Sequence, residues 1–205
     1  MPRSKVSEKI ILKQSLRVFR KKGYNNTKME DIAAACGLLK GSLYHYYKSK
    51  EELMKAVIKY MHHFYQEKAF QVVHDDSMGG RQKLQVLADF AQEQFLASES
   101  GCLFGNLALE TFGNEEDLSI LVKDFFTEWR NTLIQIFEER YAPEQADIIA
   151  SDVIAQVEGA VMMVRIFGDR TYLYRATARM LAKWDRTDKI AAAEVTKQPS
   201  AKPIS

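Results

Sequence analysis

The chain has no run of about 18 apolar residues, so no transmembrane helix is expected. Its first residues, MPRSKVSEK, carry charge with no apolar stretch behind them, which argues against a secretory signal. Cysteine is scarce: two residues in 205, Cys36 and Cys102, far apart and in no metal-ligand spacing. That scarcity excludes a disulfide framework and a zinc cluster, and it suits a reducing cytoplasm. The period-two alternation of strands is missing, and so is any internal repeat. No glycine loop could cradle a phosphate, and no nucleophile has a recognisable base. A helical-bundle enzyme would need such convergent groups, so a non-enzymatic chain without cofactor or metal is expected. His62 and His63 are adjacent and would diverge on a helix, with His74 about three turns away, a poor set of metal ligands.

What is present is a normal apolar fraction, 46%, enough for a sizeable core. The net charge of +2 conceals a division. Residues 1–50 hold 12 Lys+Arg and 3 Asp+Glu, hence +9; the remainder holds 17 and 24, hence −7. A basic front on an acidic body suggests that the front alone meets a polyanion, although a solvated basic face without a partner would look the same.

The apolar positions are spaced for helices throughout, and the fold class is all-α with about nine helices. Helix 1 is expected over 7–22, with Ile11, Leu12, Leu16 and Phe19 on one side and Gly23 ending it. Thr27 and Glu30 read as the capping box of helix 2, whose small apolar face holds Ile32, Ala33 and Ala35. Gly37 breaks that helix, and helix 3 covers 40–46. Ser49 caps helix 4, expected to run to 74, and Glu52 stands three residues on. The DDSMGG segment at 75–80 is the clearest break in the chain. Helices follow at 81–98, 103–112, 115–141, 143–167 with Pro143 in the first turn, and onward to about 184. The expected domains are 1–50, with a helix-turn-helix at about 29–48; a regulatory and dimerisation domain at 51–184; and a flexible tail at 185–205.

The segment from Thr27 to Leu53 is the most informative. Two short helices about the turn Gly37-Leu38-Leu39 have helix-turn-helix spacing, with Ala33 and Ala34 small where the helices approach. Leu43 and Tyr47, four apart, should pack inward. Lys40, Ser42, Tyr44, His45 and Tyr46 are left outward. Lys40 suits a phosphate, and Gly41 lets backbone approach at a helix start. Ser42 and His45 can donate to phosphate or base edges, Tyr44 and Tyr46 can present hydroxyls, and Tyr44 could pack on a thymine methyl. Thr27, Lys28, Lys48 and Lys50 complete the expected DNA contacts. The block KMEDIAAACGLLKGSLYHYYKSKEEL, extended back through LRVFRKKGYNNT, resembles the N-terminal domain of TetR/AcrR-type transcriptional regulators over about residues 7–60. It departs from the family pattern at Cys36, where alanine is commoner, and at Leu39, where the turn residue is usually polar. The resemblance implies an all-helical homodimer on a palindromic double-stranded operator, most often a repressor. A recognition helix this short reads few base pairs, so two copies are needed, with half-sites about one helical turn or a multiple apart.

Beyond helix 4 the resemblance is weak and the residues must carry the reading. Helix 8 is apolar around much of its later half and should be buried on two sides. Its small Ala155 and Gly159, with Met163, and Tyr172 and Met180 of helix 9, are candidates for a dimer seam; the alternative is the core of a monomer. Phe64, Trp129 and Met162 are candidates to line an effector pocket, or else core. Cys102, Asn106 and Glu110, at i, i+4 and i+8, would share a helix face and need partners: a small molecule, solvent, or Arg130 or Arg165. Cys102 near a helix start suggests a lowered thiol pKa. Its block GCLFGNLALE resembles family members that sense electrophiles or oxidants through cysteine. The expected function is a cytoplasmic repressor released by an unknown small molecule, or by an electrophile at Cys102, with helix 4 as the lever. The alternatives are control by a partner protein or a helical-bundle enzyme.

Overall fold

The computed structural model of the chain describes residues 6–98, 100–111 and 115–186. Among them the helical periodicity resolves into nine α-helices and no strand. These are α1 (Glu8–Lys22), α2 (Met29–Ala35), α3 (Lys40–Tyr46), α4 (Lys50–Lys68), α5 (Gly80–Leu96), α6 (Leu103–Thr111), α7 (Glu116–Phe137), α8 (Pro143–Phe167) and α9 (Thr171–Asp185). The first three enclose a small core: Ile11 and Phe19 of α1, Ile32 and Ala33 of α2, and Leu43 of α3 are all buried. α1 also packs on α4, which leads into the second unit. There α7, α8 and α9 pack in succession, α5 closes against α9, and α6 lies on α7.

Local chemistry explains the ends of the elements in the first unit. α2 finishes in a paired turn: the Gly37 N–H donates to Ala34 and the Leu38 N–H to Ala33, at 3.1 and 2.8 Å. The turn needs Gly37 at φ 65°, a left-handed value that L side chains resist. Leu38 then folds back on the core. The start of α2 differs from expectation by one residue. Lys28 is the cap position, and the Asp31 carboxylate accepts its N–H at 3.0 Å. Thr27 is only 2% exposed and donates its hydroxyl to the Gly23 carbonyl at 2.6 Å, while Glu30 pairs with Lys40. Ala33 is buried at the α2–α3 contact, but Ala34 and Ala35 face solvent.

α4 is shorter than its apolar pattern suggests. Regular geometry stops at Ala69, and Phe70–His74 is a 3₁₀ turn. The tighter winding carries Phe70 inward, with its ring centroid 6.0 Å from Tyr65 and 5.8 Å from Phe125. α7 likewise ends at Phe137 rather than 141, because the next residues turn toward α9: Tyr141 donates to the Lys183 carbonyl and Arg140 to that of Trp184. Of the dimer candidates, Ala155 is exposed, and Gly159, Met163 and Tyr172 are half-buried. Met180 is corrected to core: it faces inward from α9 and is 4% exposed. The expected tail lies, from 187 onward, outside the described residues.

The break before α5 proves to be a close packing point. The Gly80 N–H donates to Glu139 at 3.0 Å, and a Cβ at Gly80 would stand 2.3 Å from the Trp184 ring. Gly80→Ala should therefore lower the melting temperature by roughly 2–10 °C through overpacking. Gly79→Ala, with nothing within 4 Å, should leave it nearly unchanged. Thermal denaturation followed by circular dichroism checks both.

Candidate nucleic-acid interface and effector pocket

α3 has an inner and an outer side. Leu43 is fully buried, and Tyr47, just past the helix, is buried with its hydroxyl donated to Glu8 at 2.8 Å. Burial and that carboxylate push the Tyr47 phenol well above its usual range. These two residues fix the rotation of α3. Lys40, Gly41, His45 and Tyr46 consequently face solvent, and Ser42 and Tyr44 are half-exposed. Leu39, at the cap position, is 69% exposed, so an apolar residue stands at the tip of the outer face.

Several outward cations are already engaged. Lys40 pairs with Glu30 across the turn and lies 5.9 Å from the Tyr44 ring centre. This pair is fully exposed, and a phosphate could compete for the ammonium. Lys48 donates to the Tyr44 carbonyl at 3.2 Å, at the end of α3, while remaining exposed. Lys28 is exposed at the start of α2. Tyr46 donates to the Val6 carbonyl at 3.1 Å and so ties down the segment before α1.

Two expected contacts are corrected. The Thr27 side chain is buried and its hydroxyl spent on Gly23, so it presents nothing to a duplex. Lys50 points inward: its ammonium donates to the Tyr24 carbonyl at 2.9 Å and lies 4.3 Å from the Tyr24 ring centre. It serves as a clamp on the α1–α2 loop. The carbonyls and the aromatic face both attract the ammonium.

The aromatic residues foreseen around a pocket instead fill the space between α4, α5, α6 and α7. Phe104 and Phe125 stack at 3.6 Å with planes 3° apart, and Tyr65 meets Phe125 edge-on at 5.0 Å. Phe64 lies against Phe90 at 5.8 Å, and Trp129 against Phe126 at 6.1 Å. Trp129 is therefore core, and Phe64 is half-buried against that core.

A cavity of about 350 Å³ lies instead between α6, α7 and α8. Cys102, Asn106, Phe126, Glu158, Met162 and Arg165 are on its wall. Met162 is 56% exposed, at the mouth. The expected face of Cys102, Asn106 and Glu110 thus divides. The first two line the cavity, with the Asn106 amide donating to the Ser100 carbonyl at 2.7 Å. Glu110 leaves it and accepts the Asn25 N–H at 2.9 Å, joining α6 to the α1–α2 loop. Neither pairs with Arg130, which reaches Asp147.

Cys102 does not have the lowered pKa that its helix-start position suggested. It is 4% exposed, and burial, then the Glu158 carboxyl, drive the thiol well above its usual range. The Gly105 N–H donates to the sulfur at 3.4 Å, but this opposing effect is smaller. A thiol held protonated is a poor nucleophile. Glu158 itself was missed by sequence reasoning. It is the one charged residue in the apolar run 153–164 of α8, and that isolation was the available signal. Burial raises its pKa to about 7.

His62 pairs with Glu128 at 2.6 Å, whereas His63 turns to Glu67 at 3.2 Å. No group of three or more His, Cys, Asp or Glu among the described residues is arranged to hold a metal ion. No helix among them is long and apolar enough to cross a membrane.

Comparison with known proteins agrees with this geometry. Residues 11–57 match the family model of bacterial regulatory proteins of the tetR family. Residues 81–179 match that of the LmrA/YxaF-like transcriptional regulator C-terminal domain. The chain is 29% identical over 171 residues to the uncharacterized HTH-type transcriptional regulator YxaF of Bacillus subtilis, covering 82% of this chain and 89% of that protein. It is 27% identical over 187 residues to the HTH-type transcriptional repressor DhaR of a Mycobacterium species, covering 83% and 87%. A TetR transcriptional regulator from Legionella pneumophila superposes with a TM-score of 0.79 at 25% identity, covering 89% of this chain and 99% of that one.

The two lysines that flank the end of α3 should separate in a salt titration. On duplex DNA, Lys48→Ala should reduce the slope of log K against log salt by about 1, the loss of one phosphate contact. Lys50→Ala should leave that slope unchanged while lowering the melting temperature. Fluorescence anisotropy at several salt concentrations measures the slopes.

Proposed function

The chain belongs to the TetR family of DNA-binding transcriptional regulators, and from that premise we propose that it is a repressor released from a palindromic operator by a small molecule. One observation carries this reading: α6, with Cys102 just before it, lines the cavity through Asn106 and holds the α1–α2 loop through Glu110. A molecule that displaces α6 would pull on the loop that orients the reading unit. Lys50 secures that loop from the α4 side, so a shift of α6 changes one of its two attachments. Only a ligand with unequal affinity for the two arrangements can drive the change.

In this reading Lys28, Lys40, Lys48 and the Tyr44 hydroxyl meet phosphates, and Ser42, His45 and Leu39 face base edges. Two copies act together, because one α3 spans too few base pairs. Ile148, Ala155, Gly159 and Met162 form a stripe along the solvent side of α8 in the monomer, and Tyr174 of α9 stands exposed beside it. Apolar exposure at helical spacing on two adjacent helices is the surface that a twofold partner would cover.

Selecting bound fragments of the source genome would supply the operator, and compounds can then be screened for release from it in a purified system. Release by a compound alone supports the proposal; release only after a second protein is added would replace it with partner control. With a releasing compound in hand, Glu110→Gln should keep operator affinity near the parent value and raise the half-releasing concentration about tenfold or more. Ala155→Arg should shift the chain from dimer to monomer in sedimentation equilibrium and weaken operator binding with it.

A further inference from the structure

The cavity beside α6 has a feature that an apolar pocket does not need. The Glu158 Oε1 is buried and has no hydrogen-bond partner. Its Oε2 is pressed against Gly105, where even a Cβ would stand 2.5 Å away. The carboxylate therefore has little room to move toward α6. Arg165 is the only cation on the wall among the described residues; its guanidinium is exposed and donates to the Ser100 carbonyl at 3.3 Å. The neighbouring Cys102 thiol, held protonated, gives the carboxylate a weak hydrogen bond but no charge. Tyr65, beyond Cys102, has its phenol held far above its usual range by burial and is neutral as well. Around the carboxylate the wall is Phe126, Leu109, Val161 and Met162, with the small Gly105 and Gly159 leaving room.

Leaving one buried carboxylate oxygen without a donor is costly, and burying the group charged is more so. That is why the Glu158 carboxyl is raised to about 7. Such a group is stable near neutral pH only because it can be protonated, and a donor cation entering the cavity would remove the cost. We propose that the cavity binds a small lipophilic amine carrying one positive charge, with its ammonium N–H donated to Glu158 and its apolar body on Phe126, Leu109 and Met162. A single carboxylate matches a single charge, and the orphaned Oε1 asks for an N–H rather than a fully alkylated nitrogen. The volume, about 350 Å³, suits a bicyclic aromatic body, at the small end of ligand pockets. This inference rests on the cavity being the effector site.

The probe is 2-naphthylmethylamine, compared with 2-naphthylmethanol and 2-naphthoate, which keep the ring and change the head group. Each is titrated calorimetrically into the full chain at about pH 8, where the carboxylate is ionised. The amine should bind about tenfold or more tighter than the alcohol, with the carboxylate weakest. In Glu158→Gln, checked for an unchanged far-ultraviolet spectrum and cooperative melting, the amine's advantage should vanish. Equal affinities in the parent chain, a preference for naphthoate, no binding of the amine, or an advantage that survives in Glu158→Gln would overturn the inference. Operator release is read separately by anisotropy. An amine that binds through Glu158 without releasing DNA would count against the effector reading and leave the charge assignment standing.

Discussion

The stacking of Phe104 on Phe125 is the contact on which the arrangement turns. Two rings 3.6 Å apart and nearly parallel bind the start of α6 to the middle of α7, and Tyr65 of α4 closes on Phe125 from the side. α6 is short, and few of its residues could hold it in place by themselves. With Phe104 buried, its rotation is set: Cys102 and Asn106 face the cavity, and Glu110 reaches the reading unit. A short helix with one strong anchor and two weaker polar ends is an element that can move by small amounts without unfolding.

The loop between α1 and α2 is held by charge and hydrogen bonds rather than by burial alone. Lys50 takes the carbonyls of Tyr24 and Asn25, and Glu110 takes the Asn25 N–H. The Tyr24 phenol, pushed up to about 12 chiefly by burial and then by Glu115, stays neutral. Each bond is individually modest. Leu43 and Tyr47, both buried, fix α3 against the rest of the first unit.

Much of the reading unit was legible because its signals are local. Gly23 and Gly37 end helices within the reach of a few backbone bonds, and the four-residue spacing of Leu43 and Tyr47 assigns their face directly. The failures were also local in cause. Thr27 looked like a cap and a phosphate donor, yet the hydroxyl is 2.6 Å from the carbonyl of Gly23, a choice that only the loop conformation reveals. Lys50 resembled its neighbour Lys48 in sequence, but one faces a loop and the other solvent. In the second unit, Phe64 and Trp129 are aromatic residues at helical spacing, and spacing does not distinguish a filled core from a lined cavity.

The sequence by itself determined the helices, the place of the helix-turn-helix, the inward pair on α3 and the basic charge at the front of the chain. Each of these depends on residues within one or two turns of one another. Tertiary structure alone decided that Glu110 leaves the face of Cys102 and Asn106, that Cys102 is buried beside a carboxyl, that Met180 is core, and that Glu158 lacks a partner. Those outcomes depend on which side chains arrive from distant helices, and on the desolvation that follows. Neither helical period nor composition encodes that information.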